Sequence, residues 1–374
     1  MPPLSTQIVG SYVKPAWLVR HGHEHHHDGS WWRPGAEVLA EAQDDAALLA
    51  IREQERAGLD VATDGEIRRQ HYDRHFAQGL SGVSLERLET AAFTTELTTN
   101  TRAEGLDDLW RAFQVAPTIT GPIGWASSPA VEELRFLKAH TDRPAKACIV
   151  GPMTLYDRLK DLHYARPEDA IMDLAAALNR ELRALEAEGC AILSVAEPAL
   201  HFKISRSREI GEATLARLVE GLTTPVVVHV CYGYAKYAAA KDESPHYPEV
   251  VRLLARSPVQ AMSLEYEQPG HGPDLLRHAG DKEVHLGLLD LGTHAVETPA
   301  HVAARLREAL QVIPPERLHP CSDCGMWFLP RAVARAKIEA LVAGTNLVRA
   351  ELGLPIPEHA RRLAPPPAAQ PVSA

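Results

Sequence analysis

Short apolar runs alternate with longer helical patterns along almost the whole chain, and this alternation constrains the fold more than any other feature. Eight runs have the length and apolar composition of buried strands. Several of the helical stretches begin with Pro, which suits a first helical turn because its missing N–H loses no hydrogen bond there. Strand followed by helix, repeated eight times, predicts an α/β fold of the (β/α)8 TIM barrel class. The runs are residues 7–9, 59–63, 145–150, 191–195, 226–230, 261–264, 284–289 and 318–321, and the helical stretches include residues 37–57, 167–188, 208–222, 248–255, 299–312 and 331–352.

Two insertions interrupt the alternation. Residues 65–140 are longer than one helix requires and contain a hairpin-like segment at 117–122, and residues 20–36 form a polar loop with Trp31 and Trp32. We expect both insertions to cover the barrel mouth at the carboxyl ends of the strands. Residues 1–364 would then form one domain, and the Pro- and Ala-rich residues 365–374 a disordered tail.

The overall charge and composition exclude several classes of partner. The formal net charge is −10 and the pI is near 6.0, so the sequence predicts no basic surface for nucleic acid or an anionic membrane. No stretch is apolar over the roughly eighteen residues that a membrane span requires, and the first residues lack the pattern of a secretory signal. We therefore expect a cytoplasmic protein. The five cysteines are odd in number and scattered, which predicts reduced thiols.

Polar residues of chemical interest follow the predicted strands at the point where each strand ends. In barrels of this class the reactive groups come from the carboxyl ends of the strands, so these residues are expected to meet. In chain order, the strand ends are Gly10-Ser11, Asp64-Gly65-Glu66, Gly151-Pro152-Met153-Thr154, Glu197-Pro198, His229-Val230-Cys231, Glu265, Asp290 and Cys321-Ser322-Asp323-Cys324.

Four of these residues are candidate metal ligands. His229 and Cys231 are two residues apart on one strand, so their side chains project to the same side. Glu265 and Cys324 end other strands of the same barrel and complete a set of one imidazole, one carboxylate and two thiolates, which favours zinc over magnesium or calcium. Two alternatives stay open: the His-x-Cys pair is simply buried core, or Cys321 and Cys324 form a redox pair or half of a zinc knuckle.

At these residues the chain resembles the C-terminal catalytic half of cobalamin-independent methionine synthase, and more closely the short, single-barrel members of that family. The matching segments occur in family order over nearly the whole chain. They are Val9-Gly10-Ser11-Tyr12, Asp64-Gly65-Glu66, Gly151-Pro152-Met153-Thr154, Glu197-Pro198-Ala199-Leu200, His229-Val230-Cys231, Leu264-Glu265 and Asp323-Cys324-Gly325.

The resemblance implies one bound zinc ion, Zn2+, and a small thiol substrate whose sulfur joins the metal. Zinc lowers the pKa of a thiol, so a bound thiolate exists at neutral pH and is still nucleophilic. Since the family site has four protein ligands, the thiol must displace one of them, and Glu265 is the hardest donor. The ligands implied are His229, Cys231, Glu265 and Cys324.

The resemblance also implies where the substrates bind. Gly10, Ser11 and Glu66 would hold the polar end of the thiol, and Glu197 belongs to the same substrate-binding set. The family's alkyl donor is a methyl-folate whose N5 must be protonated before it leaves, which requires a general acid. Asp290 is the candidate acid, and a helix cap or loop hydrogen bond is an equal alternative for it. Tyr156 lies where the family places part of its folate platform.

One departure from the family puts the acceptor in doubt. The family has Asp-Glu-Pro after the fourth strand, with the Asp gripping the amino group of homocysteine, whereas this chain has Ala196 before Glu197. Loss of one charged hydrogen bond weakens binding by about 1.5–3 kcal/mol. The same superfamily includes epoxyalkane:coenzyme M transferase, whose thiol carries a sulfonate and no amino group. Addition of such a thiol to an epoxide-like electrophile is therefore a second hypothesis.

A third hypothesis is a non-catalytic zinc-binding relative. Residues 21–28 are dense in imidazole and carboxylate groups, and the loop could collect metal ions or simply be solvated. Three other histidines, at positions 201, 246 and 271, are expected to be ordinary loop or surface residues. A homo-oligomer is possible under each of these hypotheses.

Overall fold

The computed structural model describes residues 1–23, 29–71, 74–90, 115–234, 241 and 244–364. Six parallel strands in these ranges stand side by side in chain order and position the candidate site residues. These six strands have the order β3-β5-β6-β7-β8-β9, and β1, β2 and β4 form a separate small sheet. In chain order, all the strands of the described ranges are β1 (Leu80–Thr90), β2 (Val115–Trp125), β3 (Lys146–Val150), β4 (Lys160–Asp161), β5 (Ile192–Ala196), β6 (Val226–Val230), β7 (Ala261–Leu264), β8 (Glu283–Gly287) and β9 (Leu318–Cys321).

Helices follow the strands as predicted. Long amphipathic helices bury their apolar faces against the outside of the sheet, and five helices have Pro in their first turn. The helices are α1 (Leu39–Ala57), α2 (Arg74–Ala77), α3 (Val131–Ala139), α4 (Pro152–Tyr156), α5 (Pro167–Ala187), α6 (Ala199–Phe202), α7 (Ile204–Arg206), α8 (Glu212–Val219), α9 (Tyr247–Arg256), α10 (Pro273–Leu276), α11 (Pro299–Leu310) and α12 (Arg331–Glu351), with a π-helical turn at Ser207–Gly211 and 3-10 turns at Pro315–Arg317 and Glu358–Leu363.

Two extended segments, residues 6–9 and 60–63, close the sheet into a ring. Gln7 N donates to Pro320 O of β9 (3.1 Å), Asp60 N donates to Thr6 O (3.0 Å), and Lys146 N of β3 donates to Ala62 O (2.9 Å). Eight extended segments therefore surround one interior, which confirms the predicted (β/α)8 barrel.

The first two predicted runs are not regular strands. The Asp60 carboxylate accepts hydrogen bonds from both the main-chain N–H (2.7 Å) and the hydroxyl (2.8 Å) of Thr6. The Asp60 side chain therefore binds the Thr6 N–H, which a regular strand would donate to a neighbouring strand. Between residues 60–63 and the start of β3, the pairing is a single isolated bridge from Ala62 to Ala145.

The barrel interior contains a continuous row of polar residues. His229, Ser263, His285 and His319 are register partners on β6, β7, β8 and β9, and partners across parallel strands point to the same face of a sheet. His229 lies near the carboxyl end of β6, whereas His319 is the second residue of β9. Because barrel strands are tilted, one row therefore runs from one end of the barrel toward the other.

The two insertions fold differently from each other. The sequence predicts a hairpin-like segment at residues 117–122, but these residues form no turn and lie inside β2. This strand pairs antiparallel with β1 and parallel with β4. In the first loop, Trp31 is buried and packs edge-on against Trp327, three residues after Cys324, which supports the predicted position of this loop near the mouth. Most of the His-rich segment and all of 365–374 lie outside the described residues.

Among the helices of the described ranges, none is long and apolar enough to cross a membrane.

Candidate metal centre

Three of the four predicted metal ligands converge at the carboxyl end of the barrel. One ligand atom each from His229, Cys231 and Cys324 lies within 4.8 Å of the other two, and all three residues are buried. His229 and Cys231 occupy alternate positions at the end of β6 and share its inner face. Cys324 follows β9 and reaches them across the interior. We name these three residues the carboxyl-end cluster.

The His229 ring is oriented for a ligand. Its Nδ1 lies 3.0 Å from Ser263 Oγ, the side chain beside it on β7. Its Nε2 is buried and has no hydrogen-bond partner among the described residues. A proton on Nδ1, donated to Ser263, leaves the Nε2 lone pair for a metal, an arrangement common for metal-binding histidines.

The two sulfur atoms favour a bound cation. The neighbouring Cys231 sulfur, together with burial, raises the pKa of Cys324 well above its ordinary value. Gly233 N–H donates to Cys231 Sγ (3.4 Å), which stabilises negative charge on that sulfur. Two adjacent buried thiolates are costly unless a cation neutralises them, and one nitrogen with two sulfurs is a donor set that zinc prefers. The residues present therefore fit the zinc ion that the resemblance implies.

Glu265, the fourth predicted ligand, lies outside the group of atoms within 4.8 Å of one another. Its fully buried carboxylate pairs with the Lys241 ammonium and accepts a hydrogen bond from Tyr232 N–H (2.6 Å). Lys241 also donates to Gly233 O (2.6 Å). Burial alone would lower the pKa of Lys241, but Glu265, with both cluster sulfurs nearby, outweighs it and raises that pKa.

Lys241 is a site residue that the sequence did not predict. A single lysine between two strands forms no pattern with its neighbours, so no signal was available. Its ammonium group brings a positive charge beside Glu265 and near the two thiols, and Glu265 would exchange this partner to join a metal.

Asp323 and Ser322 hold the cluster in place. The buried Asp323 carboxylate accepts hydrogen bonds from the main-chain N–H groups of Glu267 (3.1 Å) and Gln268 (2.6 Å), which fixes the loop that follows Glu265. Ser322 Oγ donates to Cys324 O (2.9 Å). The motif Asp323-Cys324-Gly325 was noted in the sequence, but the positioning role of its Asp was missed.

The predicted thiol-binding residues border the cluster. A Cβ atom at Gly325 would lie 2.1 Å from Ser11 Oγ, so the segment after Cys324 lies directly against Ser11 and a side chain there would force the hydroxyl to move. A Cβ at Gly10 would likewise lie 2.4 Å from Glu66 Oε1. The chain thus brings Gly10, Ser11 and Glu66 together next to Cys324.

Glu66 has the unusual backbone of a constrained functional residue. Its φ of 54° lies in the left-handed region, which costs a non-glycine residue roughly 1–3 kcal/mol. Burial raises the pKa of its carboxyl, and the Arg69 guanidinium, 3.8 Å away, opposes that rise. Lys14 Nζ donates to Glu66 O (2.8 Å) and fixes the strained main chain.

The Glu197 carboxylate binds groups of the protein at the start of α4. Its carboxylate accepts hydrogen bonds from Met153 N–H (2.9 Å) and Thr154 N–H (2.7 Å) at the start of α4, and it also pairs with the Thr154 hydroxyl. Burial raises the pKa of Glu197 to about 7. It anchors the Gly151-Pro152-Met153-Thr154 turn, and a direct contact with substrate stays a prediction.

Asp290 and Tyr156 have local partners. Asp290 Oδ1 accepts a hydrogen bond from Gly292 N–H (2.8 Å), the loop hydrogen bond considered as its alternative role. Tyr156 donates to Asp161 Oδ2 (3.3 Å), and the Arg206 guanidinium lies 5.3 Å from the centre of its ring. Neither residue is part of the carboxyl-end cluster, and their catalytic and donor-binding roles stay predictions.

His201, expected to be an ordinary loop or surface residue, lies in helix α6, whereas His271 lies in a loop as expected but is not at the surface. Both are buried in an aromatic cluster with Tyr232 and Tyr247, where Tyr232 Oη lies 3.0 Å from His271 Nε2. Tyr247 Oη donates to Val230 O (2.7 Å) and accepts from Glu265 N–H (3.0 Å). These rings therefore tie the ends of β6 and β7 together behind the carboxyl-end cluster.

Comparison with known proteins agrees with the resemblance. Residues 4–346 match the model of the cobalamin-independent synthase catalytic domain. The methionine synthase of Saccharolobus solfataricus is 30% identical over 359 residues, which cover 94% of this chain and 97% of that protein.

Solved structures are similar over the same length. The B12-independent methionine synthase from Shewanella sp. W3-18-1, solved in complex with selenomethionine, has a TM-score of 0.81 and 33% identity and covers 94% of this chain and 99% of its own. A methyltransferase from Methanosarcina mazei, 14% identical with a TM-score of 0.54 over 93% of this chain and 95% of its own, shares the fold. The chain therefore belongs to the cobalamin-independent methionine synthase family and is a methionine-synthase-like methyltransferase.

Proposed function

We propose that this protein is a zinc-dependent enzyme that transfers a methyl group from a methyl-folate to the thiol of homocysteine. The observation that carries the proposal is the carboxyl-end cluster, in which one ring nitrogen of His229 and the sulfurs of Cys231 and Cys324 lie within 4.8 Å of one another. His229 Nε2 has no hydrogen-bond partner among the described residues. The Shewanella relative was solved with selenomethionine, an analogue of the methylated product, which supports an amino-acid thiol as acceptor.

The metal would be held by the carboxyl-end cluster, with Glu265 as the fourth ligand once it leaves Lys241. Zinc supplies a Lewis acid that lowers the pKa of the substrate thiol, so that the thiolate is available at neutral pH. Lys241 and Tyr232 N–H hold the Glu265 carboxylate in this structure and would hold it again if the substrate sulfur took its place. These partners would make release of Glu265 less costly, because its buried carboxylate would not be left unpaired.

The chain's own residues would orient the substrates. Glu66, beside Gly10 and Ser11, would supply an anionic partner for the ammonium group of the acceptor. Ser11 Oγ, which has no hydrogen-bond partner among the described residues, would be available to the acceptor's carboxylate. Asp290 would deliver a proton to N5 of the donor as the methyl group leaves. Burial of the cluster keeps water from competing with the thiol.

Ala196 favours a second candidate function, the addition of a thiol without an amino group to an epoxide. It ends β5 at the position beside His229 in the register and offers a methyl group where the family has a carboxylate. Coenzyme M, with its sulfonate, would not require that carboxylate.

An activity screen on zinc-loaded protein tests the proposal directly. Homocysteine or coenzyme M is combined with 5-methyltetrahydrofolate or a small epoxide, and products are identified by mass spectrometry. Methionine from the first pair supports the proposal, whereas a thioether from the epoxide alone selects the second candidate. If neither thiol increases the sulfur coordination of zinc, measured by X-ray absorption, the thiol-binding role of the site is wrong.

The Ala196→Asp substitution examines acceptor choice. If the pocket keeps its family form, the new carboxylate should raise kcat/KM for homocysteine about ten- to one-hundred-fold, the kinetic equivalent of about 1.5–3 kcal/mol. Ala196→Asn, similar in size and uncharged, is the matched control. No gain with Asp over Asn would contradict homocysteine as the acceptor.

A further inference from the structure

A second group of potential metal ligands lies inside the opposite end of the barrel. One ligand atom each from Glu283, His285 and His319 lies within 4.8 Å of the other two. Glu283 and His285 alternate on β8 and share its inner face, and His319 is the register partner of His285 on β9. We name these three residues the amino-end cluster, because they lie near the starts of their strands.

The imidazoles of this cluster are buried, and three of their four ring nitrogens have no hydrogen bond among the described residues. His285 is 1% exposed and His319 is 0% exposed. His285 Nε2 and both nitrogens of His319 have no hydrogen-bond partner among the described residues. Leaving a buried polar group unsatisfied costs about 1–3 kcal/mol, so three such nitrogens at one place require an explanation.

The ion pair with Glu283 accounts for only one of these three nitrogens. His319 Nε2 lies 3.3 Å from Glu283 Oε2 but is not aligned as a hydrogen bond, and the His285 ring meets the His319 ring edge-on at 5.3 Å between centroids. The ring nitrogens of His285 and His319 are therefore placed to share one ligand with the Glu283 carboxylate.

We propose that Glu283, His285 and His319 bind a divalent transition-metal ion at the amino end of the barrel, separate from the carboxyl-end cluster. Two imidazoles and one carboxylate suit Zn2+, Co2+ or Ni2+ and are too rich in nitrogen for Mg2+ or Ca2+. The Glu283 side chain, 38% exposed, gives the ion a path from solvent. The inference does not depend on the proposed function.

The two clusters are close but distinct. Two interstrand spacings of about 4.8 Å separate His229 from His285 along the register row, with Ser263 between them. A separation of about 10 Å is too long for one ion to bridge and short enough for the two sites to be confused in a bulk metal assay. The donor atoms differ, however: only the carboxyl-end cluster contributes sulfur.

Cobalt titration of metal-free, full-length protein distinguishes the sites. We expect two equivalents of Co2+, one with thiolate-to-cobalt charge-transfer absorption and one with weak ligand-field bands alone. The double variant Cys231→Ser/Cys324→Ser should keep the second equivalent and lose the charge-transfer band. Binding of one equivalent by wild-type protein would overturn the proposal.

Substitutions at the amino end complete the test. Glu283→Gln, at a partly exposed position that should tolerate the change, should weaken the second equivalent at least tenfold, whereas the exposed Glu316→Gln at the same end should leave it unchanged. His285→Gln/His319→Gln should abolish it. Retention of the second equivalent in these variants, or its loss when residues 21–28 are deleted, would assign the ion to another place and overturn the proposal.

Discussion

At the carboxyl end of the barrel, His229 and Cys231 lie two residues apart at the end of β6, and Cys324, in the segment after β9, lies close to both. At the amino end, β8 presents Glu283 and His285 with the same spacing, and His319 of β9 lies beside them. The same strand periodicity thus produces both clusters. Their donors differ: two sulfurs and a nitrogen at one end, two nitrogens and an oxygen at the other. Backbone geometry decides which residues meet, and donor softness decides which chemistry they support.

The surroundings of the two clusters also differ. The carboxyl-end cluster lies among long loops and next to the strained Glu66, whereas the amino end contains the tightly bonded Asp60, which joins the first two segments of the ring to α12. Barrels of this class place catalysis at the carboxyl end and stability at the amino end. The following experiments test this division.

The largest effect is expected from Cys324→Ser. Loss of one of two thiolates should remove tightly bound zinc and lower kcat/KM by more than about 100-fold, because even residues that only support a metal ligand cause losses of 10–100-fold. Zinc content by atomic absorption, together with turnover, measures this.

Cys321→Ser is the matched control for that variant. Cys321 is buried three residues earlier, burial raises the pKa of its thiol to about 11, and it is not part of the carboxyl-end cluster. It should keep zinc and activity. Equal losses in the two variants would instead favour the redox-pair interpretation of Cys321 and Cys324 and break the proposed assignment.

A smaller effect, on stability rather than catalysis, is expected from Asp60→Asn. Asp60 Oδ2 accepts from Arg349 (2.6 Å), a residue 1% exposed, and its Oδ1 lies 2.9 Å from His359 Nε2. Removing the carboxylate leaves the buried guanidinium without a counter-charge, which costs about 3–5 kcal/mol. Urea unfolding at pH 7 should show this loss of unfolding free energy. The exposed Asp281→Asn is the control and should keep the wild-type stability. Zinc affinity should be unchanged in both variants.

The same carboxylate should make stability depend on acid pH. Burial alone would raise the pKa of Asp60, but His359 and Arg349 outweigh burial and lower that pKa from 3.8 to about 2. A carboxyl with a depressed folded pKa adds stability above its unfolded pKa and loses it as the pH falls toward the folded value. Wild-type protein should therefore lose about 2 kcal/mol between pH 4 and 2, and Asp60→Asn should lack this component of the unfolding curve.

Much of the barrel and of the carboxyl-end cluster could be predicted because both depend on local patterns. Apolar runs of strand length and the two-residue spacing of His229 and Cys231 are visible in one sequence, and the (β/α)8 fold brings strand ends together wherever they occur in the chain. The same reasoning could not find Lys241, since its position depends on the tertiary path between β6 and β7.

The amino-end cluster was not predicted, because only residues at the carboxyl ends of the predicted strands were considered as site residues. Glu283 and His285 alternate with apolar residues at the start of a predicted strand, which indicates a polar inner face, but their meeting with His319 depends on the register between β8 and β9. The burial of His201 in α6 and of His271 in its loop could not be predicted for a similar reason, because a histidine after a strand looks the same in sequence whether its surroundings are exposed or packed.

Ser263→Ala should have the smallest effect and should separate the two clusters most sharply. Ser263 lies between His229 and His285 in the register row, yet its hydroxyl is 3.0 Å from His229 Nδ1. Without that partner the imidazole is less well oriented and less basic, so zinc affinity at the carboxyl end should fall about tenfold, the lower end of the range for residues that support a metal ligand. Ser194→Ala, another buried serine on the neighbouring β5, is the control. Competition with a chelator measures the zinc affinity of both variants. If Ser263→Ala weakened cobalt binding at the amino-end cluster as much as zinc binding at the carboxyl-end cluster, the two clusters would not be separate sites.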